Sequence, residues 1–255
     1  MTGDRSETGY GPLAPPERVP DWLAGLVAAT ADMDAELFRR ITGSSADARP
    51  AAVLILFGED GLGAGSGPDV LLLRRAATLG AHPGQVAFPG GAVDPGDTGP
   101  VDTALREAAE EVGVHPDGVR PLALLPKLYL SVSGFDVTPV LAHWDRPSAV
   151  RPVDPAETAA VARVPIAHLV DPANRVQVRH PSGFVSPAYL APGMLVWGFT
   201  AALLTALLRY GGWDRPWHTD DVRDLDDAWR TVEDMSNSAP RDGTVPPSDT
   251  EVETS

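Results

Sequence analysis

The chain has 255 residues and a formal charge of −15, from 20 basic and 35 acidic side chains, with 43% hydrophobic and 22% charged residues. That composition is globular with a substantial core, and its acidity argues against non-specific binding to nucleic acid or anionic membranes, which takes a basic footprint. The absence of cysteine excludes disulfides, thiolate metal sites and thiol nucleophiles, and fits a reducing cytoplasmic setting.

Residues 1–20 include PLAPPERVP and have no apolar stretch of the signal-peptide kind, so they read as disordered. From Asp21 to Ile41 the spacing of Trp22, Leu23, Leu26, Val27, Met33 and Leu37 predicts one or two short helices in an N-terminal extension over 21–50. The body, 51–212, then alternates strands and helices. Ala52–Phe57 and Val70–Leu73 are strand-length apolar runs on either side of a Gly-rich loop, a predicted hairpin. Pro100–Val112 reads as a helix. Leu122–Leu125, Leu128–Val132, Val137–Ala142 and Val161–Pro165 read as strands. The longest apolar run, Met194–Leu208, is too short for a bilayer span and predicts a buried helix over Met194–Tyr210. These elements make a mixed α/β layered domain. Residues 213–234 form an acidic extension, and 235–255, rich in Pro and Ser, read as a disordered tail.

Charge is distributed unevenly. Residues 213–255 carry 12 acidic and 4 basic side chains, whereas 51–212 carry 15 and 11. Within the body the decisive charges lie on the Pro100–Val112 helix. Pro100 suits its first turn and Gly113 its C-terminal cap. Val101, Leu105, Ala108 and Val112 fall on one stripe, the predicted core face. Glu107, Glu110 and Glu111 share the opposite side, and at i,i+3 and i,i+4 spacing they repel one another. A solvated acidic face is the plain reading. A divalent cation is the alternative, because hard cations take carboxylate oxygens. Arg106 reaches Glu110 one turn on. Just upstream lies Phe88-Pro-Gly-Gly91, where glycines let backbone approach a ligand closely.

Gly91, Asp97 and Arg106-Glu107-x-x-Glu110-Glu111-x-Gly113-Val114 together resemble the Nudix box, the signature of hydrolases that split nucleoside diphosphates linked to another group. Asp97 stands where glutamate is usual, one residue further from Arg106. Both departures are similar to the coenzyme A pyrophosphatase branch of that family. Leu72-Leu-Arg74-Arg75-Ala76 followed by Gly84-Gln-Val-Ala-Phe88-Pro-Gly90-Gly91 resembles the coenzyme A recognition motif, with Leu73 in place of Thr and Gly80 in place of Arg. Leu195–Leu204 is similar to the Trp-Gly-x-Thr helix near the end of such proteins. The resemblance spans roughly Ala51 to Tyr210.

The resemblance implies a Nudix α/β/α sandwich with a mixed sheet and a loop–helix–loop catalytic box. It implies Mg²⁺ or Mn²⁺ held by Glu107, Glu110 and Glu111, lowering the pKa of a water that attacks phosphorus. Arg106 becomes an organiser of the box, and Arg74, Arg75, Gly84, Phe88, Gly90 and Gly91 become substrate-binding candidates. The general base comes from the box or from a later loop; Glu157 is the loop candidate, with an ordinary loop carboxylate as the alternative. His82, and Phe88 and Tyr129 as stacking surfaces, are weaker candidates. Coenzyme A would yield 3',5'-ADP and 4'-phosphopantetheine. ADP-ribose or a dinucleotide such as NADH is the alternative substrate, and a non-catalytic nucleotide-sensing module the alternative of another class. The implied partners are a small-molecule nucleoside diphosphate derivative and, in a homodimer, a second copy of the chain, with neither nucleic acid nor membrane.

Overall fold

A computed structural model of the chain describes residues 9–34, 43, 45–59, 67–79, 82–131 and 133–238. In chain order these form β1 (Gly11–Pro12), α1 (Asp21–Ala29), β2 (Arg49–Gly58), β3 (Asp69–Arg75), β4 (Val86–Ala87), β5 (Gly90–Ala92) and α2 (Pro100–Val112). Then come β6 (Val119–Leu124), β7 (Leu128–Leu130), β8 (Phe135–Trp144), β9 (Thr158–Pro165) and α3 (Ile166–Leu169). Last are β10 (Arg175–Arg179), β11 (Val185–Ala191), β12 (Met194–Val196), α4 (Gly198–Tyr210), β13 (Val222–Asp224) and α5 (Leu225–Ser238).

The main sheet runs β1-β6-β8-β2-β3-β4, with β5 on β2, β7 on β8 and β9 on β3. Its two longest strands, β2 and β8, are parallel from Arg49↔Phe135 to Phe57↔His143, and the other pairings are antiparallel. Strand alternation sorts the two faces. Ala52, Leu54 and Leu56 of β2 with Leu71 and Leu73 of β3 pack on Ala104, Ala108 and Val112 of α2. Ile55, Phe57, Val70 and Leu72 face the other way, onto Leu23 and Leu26 of α1 and Leu203, Leu204, Leu207 and Leu208 of α4. The result is the expected α/β/α sandwich with a mixed sheet.

A second sheet, β12-β11-β10-β13, backs onto the α4 layer. Tyr189, Ala191, Met194 and Val196 of β11 and β12 join the α1–α4 core. Val176, Val178, Ala188, Leu190 and Leu195 form a third cluster with Ala228 and Val232 of α5.

Four predicted features change. The β2–β3 hairpin is paired only at Phe57↔Val70 and Gly58↔Asp69. Below that the strands part and β5 takes the edge of β2 at Ala51–Val53, admitting the Gly-Gly segment into the sheet. The apolar run from Met194 is not one helix. Met194–Val196 pairs with β11, Trp197 is extended at φ −147°, and α4 begins at Gly198, whose φ of +62° is glycine territory. Of the residues expected to be disordered at the start, 9–20 lie on the body. Gly11 and Pro12 pair with Leu124 and Ala123, and Val19 is buried. Finally, Met235–Ser238, assigned to the tail, continue α5. The rest of both terminal segments, 1–8 and 239–255, lies outside the described residues.

Candidate active site

The site is built on α2, whose ends fall where the sequence places them. Pro100 is in the first turn, and Gly113 at φ +74° donates its N–H to the carbonyls of Ala108 and Ala109. Ala104, Ala108 and Val112 are fully buried against the sheet, so the helix has one permitted rotation and its acidic face meets β5 and the loop beyond.

Arg106 is the hub of that face. Its Nε and Nη2 donate to the two carboxylate oxygens of Asp97, each at 3.0 Å, and Nη2 also donates to the Ala92 carbonyl at 3.0 Å. Nη1 donates to Glu107 Oε1 and Glu110 Oε2, both at 3.0 Å, the second being the predicted i,i+4 contact. A planar fork is suited to this many acceptors at once. The guanidinium beside Asp97 holds that carboxyl well below the usual carboxylate range. Arg106 thus ties α2 to β5 and to the Asp94–Asp97 loop.

The three glutamates differ in environment. Glu110 is exposed. Burial raises the Glu107 carboxyl above its ordinary value despite Arg106. Glu111 accepts from the Gly90 N–H at 2.9 Å, yet burial still pushes its carboxyl up to about 7. Among the described residues no three acidic or histidine side chains converge as a closed metal site. Glu107 and Glu110 turn to Arg106 while Glu111 turns to β5. The donor set nonetheless fits a divalent cation. It is all carboxylate oxygen, and two of its members are disfavoured as anions by burial, a penalty that a cation between them reverses.

Gly90 and Gly91 serve different neighbours. A Cβ on Gly90 would lie 2.3 Å from the Ala52 carbonyl oxygen and 2.6 Å from Val53 Cα, so Gly90 exists for the close approach of β5 to β2. A Cβ on Gly91 would lie 2.4 Å from Glu107 Oε1. The glutamate carboxylate therefore rests in the space that the missing side chain leaves.

Beyond α2 the chain folds back over the end of the helix. The Arg151 N–H donates to the Val112 carbonyl at 3.2 Å and the Val153 N–H to the Glu111 carbonyl at 3.1 Å. Glu157 follows in an exposed turn, where its charge raises the Glu111 pKa. Its carbonyl accepts from the Ala76 N–H at 2.8 Å, which fixes the turn to the end of β3. Arg75 sits on the same side and opposes that rise. Glu157, Arg75 and Glu111 are thus neighbours although 82 residues separate the outer two in sequence.

Arg74, Arg75 and Gly84 line a cavity of about 310 Å³ together with Pro83 and Trp229. Neither arginine side chain has a hydrogen bond or ion pair among the described residues, and both Nε atoms are buried. Phe88 departs from its expected role. At 4% exposure it belongs to the α1–α4 core and offers no face to a ligand, because the link from β4 to β5 turns it inward. His82 bonds through Nδ1 to Gln85 Oε1 at 3.0 Å and does not line the cavity. Tyr129 lies in β7 opposite Asp136, also away from it. Gly80 lies outside the described residues. Sequence reasoning missed Trp229, although Leu225, Ala228, Trp229 and Val232 have the i, i+3, i+4, i+7 spacing of an amphipathic helix.

An α/β/α sandwich that presents an Arg–Glu-rich helix beside a Gly-Gly strand defines a hydrolase of pyrophosphate-containing substrates that works with divalent metal ions. Residues 47–183 match the family model described as NUDIX domain, and the chain belongs to the Nudix family. A protein from Pectobacterium atrosepticum named Uncharacterized Nudix hydrolase NudL is 40% identical over 149 residues, 55% of this chain and 73% of that one. Its namesake from Citrobacter koseri is 36% identical over 175 residues, 66% and 85% of the two chains. Among solved structures, a NUDIX hydrolase from Alicyclobacillus acidocaldarius is 22% identical, covering 65% of this chain and 93% of that one at a TM-score of 0.41. No helix among the described residues is long and apolar enough to cross a membrane.

Proposed function

We propose that this hydrolase cleaves the pyrophosphate bond of coenzyme A or its acyl derivatives, releasing 3',5'-ADP and (acyl-)4'-phosphopantetheine. The observation that carries the reading is the cavity lined by Arg74, Arg75 and Gly84, whose Arg75 lies within electrostatic reach of Glu111. Guanidinium forks without partners among the described residues are natural acceptor seekers, and coenzyme A has a peripheral phosphate in addition to its pyrophosphate.

In this reading Glu107, Glu110 and Glu111 hold Mg²⁺ or Mn²⁺. Bound there, the ion supplies positive charge against the pyrophosphate and lowers the pKa of water. The chain's own residues do the rest. Arg106 orients Glu107 and Glu110 through the contacts described above. The Gly90 N–H aligns Glu111. Glu157 takes the proton of the attacking water, which adds to one phosphorus as the other phosphate leaves. Arg75 and Arg74 position the nucleotide half of the substrate.

The experiment is a panel of coenzyme A, acetyl-coenzyme A, ADP-ribose and NADH with Mg²⁺ or Mn²⁺, read by product mass. Coenzyme A species giving 3',5'-ADP are expected. ADP-ribose is the second reading, favoured by Gly80 where the recognition motif has arginine, and its preference in the panel overturns the first. Turnover of no member overturns catalysis and leaves a sensing module. Retention of all three glutamates and of Arg106 speaks against that outcome.

A further inference from the structure

The segment that follows the α4 layer lies outside the matched NUDIX region, yet it closes onto the substrate side of the domain. Strand β13 pairs in parallel with β10, from Gln177↔Val222 to Arg179↔Asp224. The Gly193 N–H donates to the Val232 carbonyl at 2.9 Å, and Ala228 and Val232 are fully buried under β10–β12. With α5 fixed in this way, the neighbouring Trp229 packs its partly buried ring against the same cluster and lines the cavity. The same cavity is lined by Arg74 and Arg75, whose buried Nε donors have no partner among the described residues, and by the open Gly84 turn at φ +70°. An indole and two guanidiniums lining one space are the donor set for an aromatic base that carries phosphate. At about 310 Å³ the space is at the lower end of small-molecule sites, suited to part of a ligand rather than the whole.

We propose that Trp229, supplied by the C-terminal helix, is a wall of the substrate pocket and stacks on the adenine of a nucleotide whose phosphate is taken by Arg74 and Arg75. The assignment rests on the diphosphate-hydrolase reading and makes the acidic C-terminal segment a specificity element. It gives a reason for the anchoring of α5 through β13 and Val232: a stacking surface has to be rigid to discriminate. It also gives the two arginines the acceptors that the described residues do not provide.

The test uses the full chain in EDTA, titrated calorimetrically with 3',5'-ADP and with 5'-AMP. W229L keeps apolar packing against the cluster of Ala228 and Val232 but removes the aromatic face. It is expected to bind both nucleotides about 10- to 100-fold more weakly, the range of a lost base–aromatic stack. W229F is expected to recover most of that affinity while losing the ligand-induced quenching of tryptophan fluorescence. In turnover, W229L raises KM by the same factor and leaves kcat in place. Wild type that binds neither nucleotide, or W229L that binds both as tightly as wild type, overturns the proposal. Should W229L fail to fold, unchanged quenching in W229F overturns it instead. Failure of the substrate reading is separable, because wild type that leaves coenzyme A intact while hydrolysing ADP-ribose still presents adenine to this cavity.

Discussion

Two adjacent glycines in β5 are expected to fail in opposite ways when given a methyl group. In Gly90→Ala the new Cβ meets backbone, at 2.3 Å from the Ala52 carbonyl oxygen and 2.6 Å from Val53 Cα. Neither can move without opening the β2–β5 pairing, so the strand has to shift by about 1 Å, an overpacking cost of about 2–3 kcal/mol. For a chain of this size that is a fall in Tm of about 5–10 °C. In Gly91→Ala the methyl meets only the end of the Glu107 side chain, Oε1 at 2.4 Å and Oε2 at 2.8 Å. A glutamate carboxylate can swing aside, and the fold survives. What it loses is its position beside Arg106 and Glu111. Displacement of a positioned group by about 1 Å costs on the order of 100-fold in turnover. Scanning calorimetry and initial rates with Mg²⁺ on both variants separate the effects: Gly90→Ala melts early, and Gly91→Ala melts near wild type but turns over poorly. A fully active Gly91→Ala, or one as unstable as Gly90→Ala, refutes the assignment of that space to the glutamate.

Glu111→Gln is expected to abolish metal-dependent turnover while raising the stability of the chelated protein at alkaline pH. The wild-type carboxyl has its folded pKa pushed from 4.5 to about 7, so its contribution is full below pH 4.5 and is lost as pH rises through 7. Urea unfolding in EDTA should show a loss of about 2 kcal/mol between pH 5.5 and 8 that disappears in the glutamine variant; equal pH slopes for the two proteins refute it. Asp69→Ala, far from α2, strips the paired carboxylate from Arg163, whose Nε and Nη2 lie 2.9 and 2.7 Å from its oxygens. Burial raises the Asp69 pKa in spite of that partner, and an Arg163 left over the Trp144 ring with only the Glu59 carbonyl as acceptor should cost about 3 kcal/mol in chemical denaturation. A loss below 1 kcal/mol would mean that water reaches the guanidinium.

What the sequence made legible is what local periodicity encodes. The bounds of α2, its buried stripe and the Arg106–Glu110 contact follow from helical spacing alone. Strands β2, β3, β6, β8 and β9 announce themselves as apolar runs. Non-local consequences are less visible. That Glu107 rests on Gly91 depends on β5 inserting beside β2, which no local pattern contains. Phe88 lies in a motif that reads as ligand-binding, and only the path of the chain from β4 to β5 sends its ring into the core. Strands β10 and β11 are short, with Pro187 in one and alternating Val176, Gln177 and Val178 in the other, so their signal is weak. Helix α5 did carry a pattern in Leu225, Ala228, Trp229, Val232 and Met235, but acidic residues between those positions make the segment resemble a solvated extension.

Asp97, the departing acid of the box, is held through both its backbone and its side chain. Aspartate is one methylene shorter than the usual glutamate. The loop before it folds back on itself: the Asp97 N–H donates to the Asp94 carbonyl at 3.0 Å, and the Asp94 N–H to Asp97 Oδ2 at 2.9 Å. Thr103 Oγ1 adds a third hold at 2.8 Å. The shorter acid is thereby carried to Arg106 by its backbone and meets Nε and Nη2 in a bidentate pair. With Asp97 taking that edge of the guanidinium, Nη1 is left to Glu107 and Glu110. The acidic balance of the whole chain therefore says little about the site. There a single arginine, oriented by one carboxylate, pairs with two others on the same helix face.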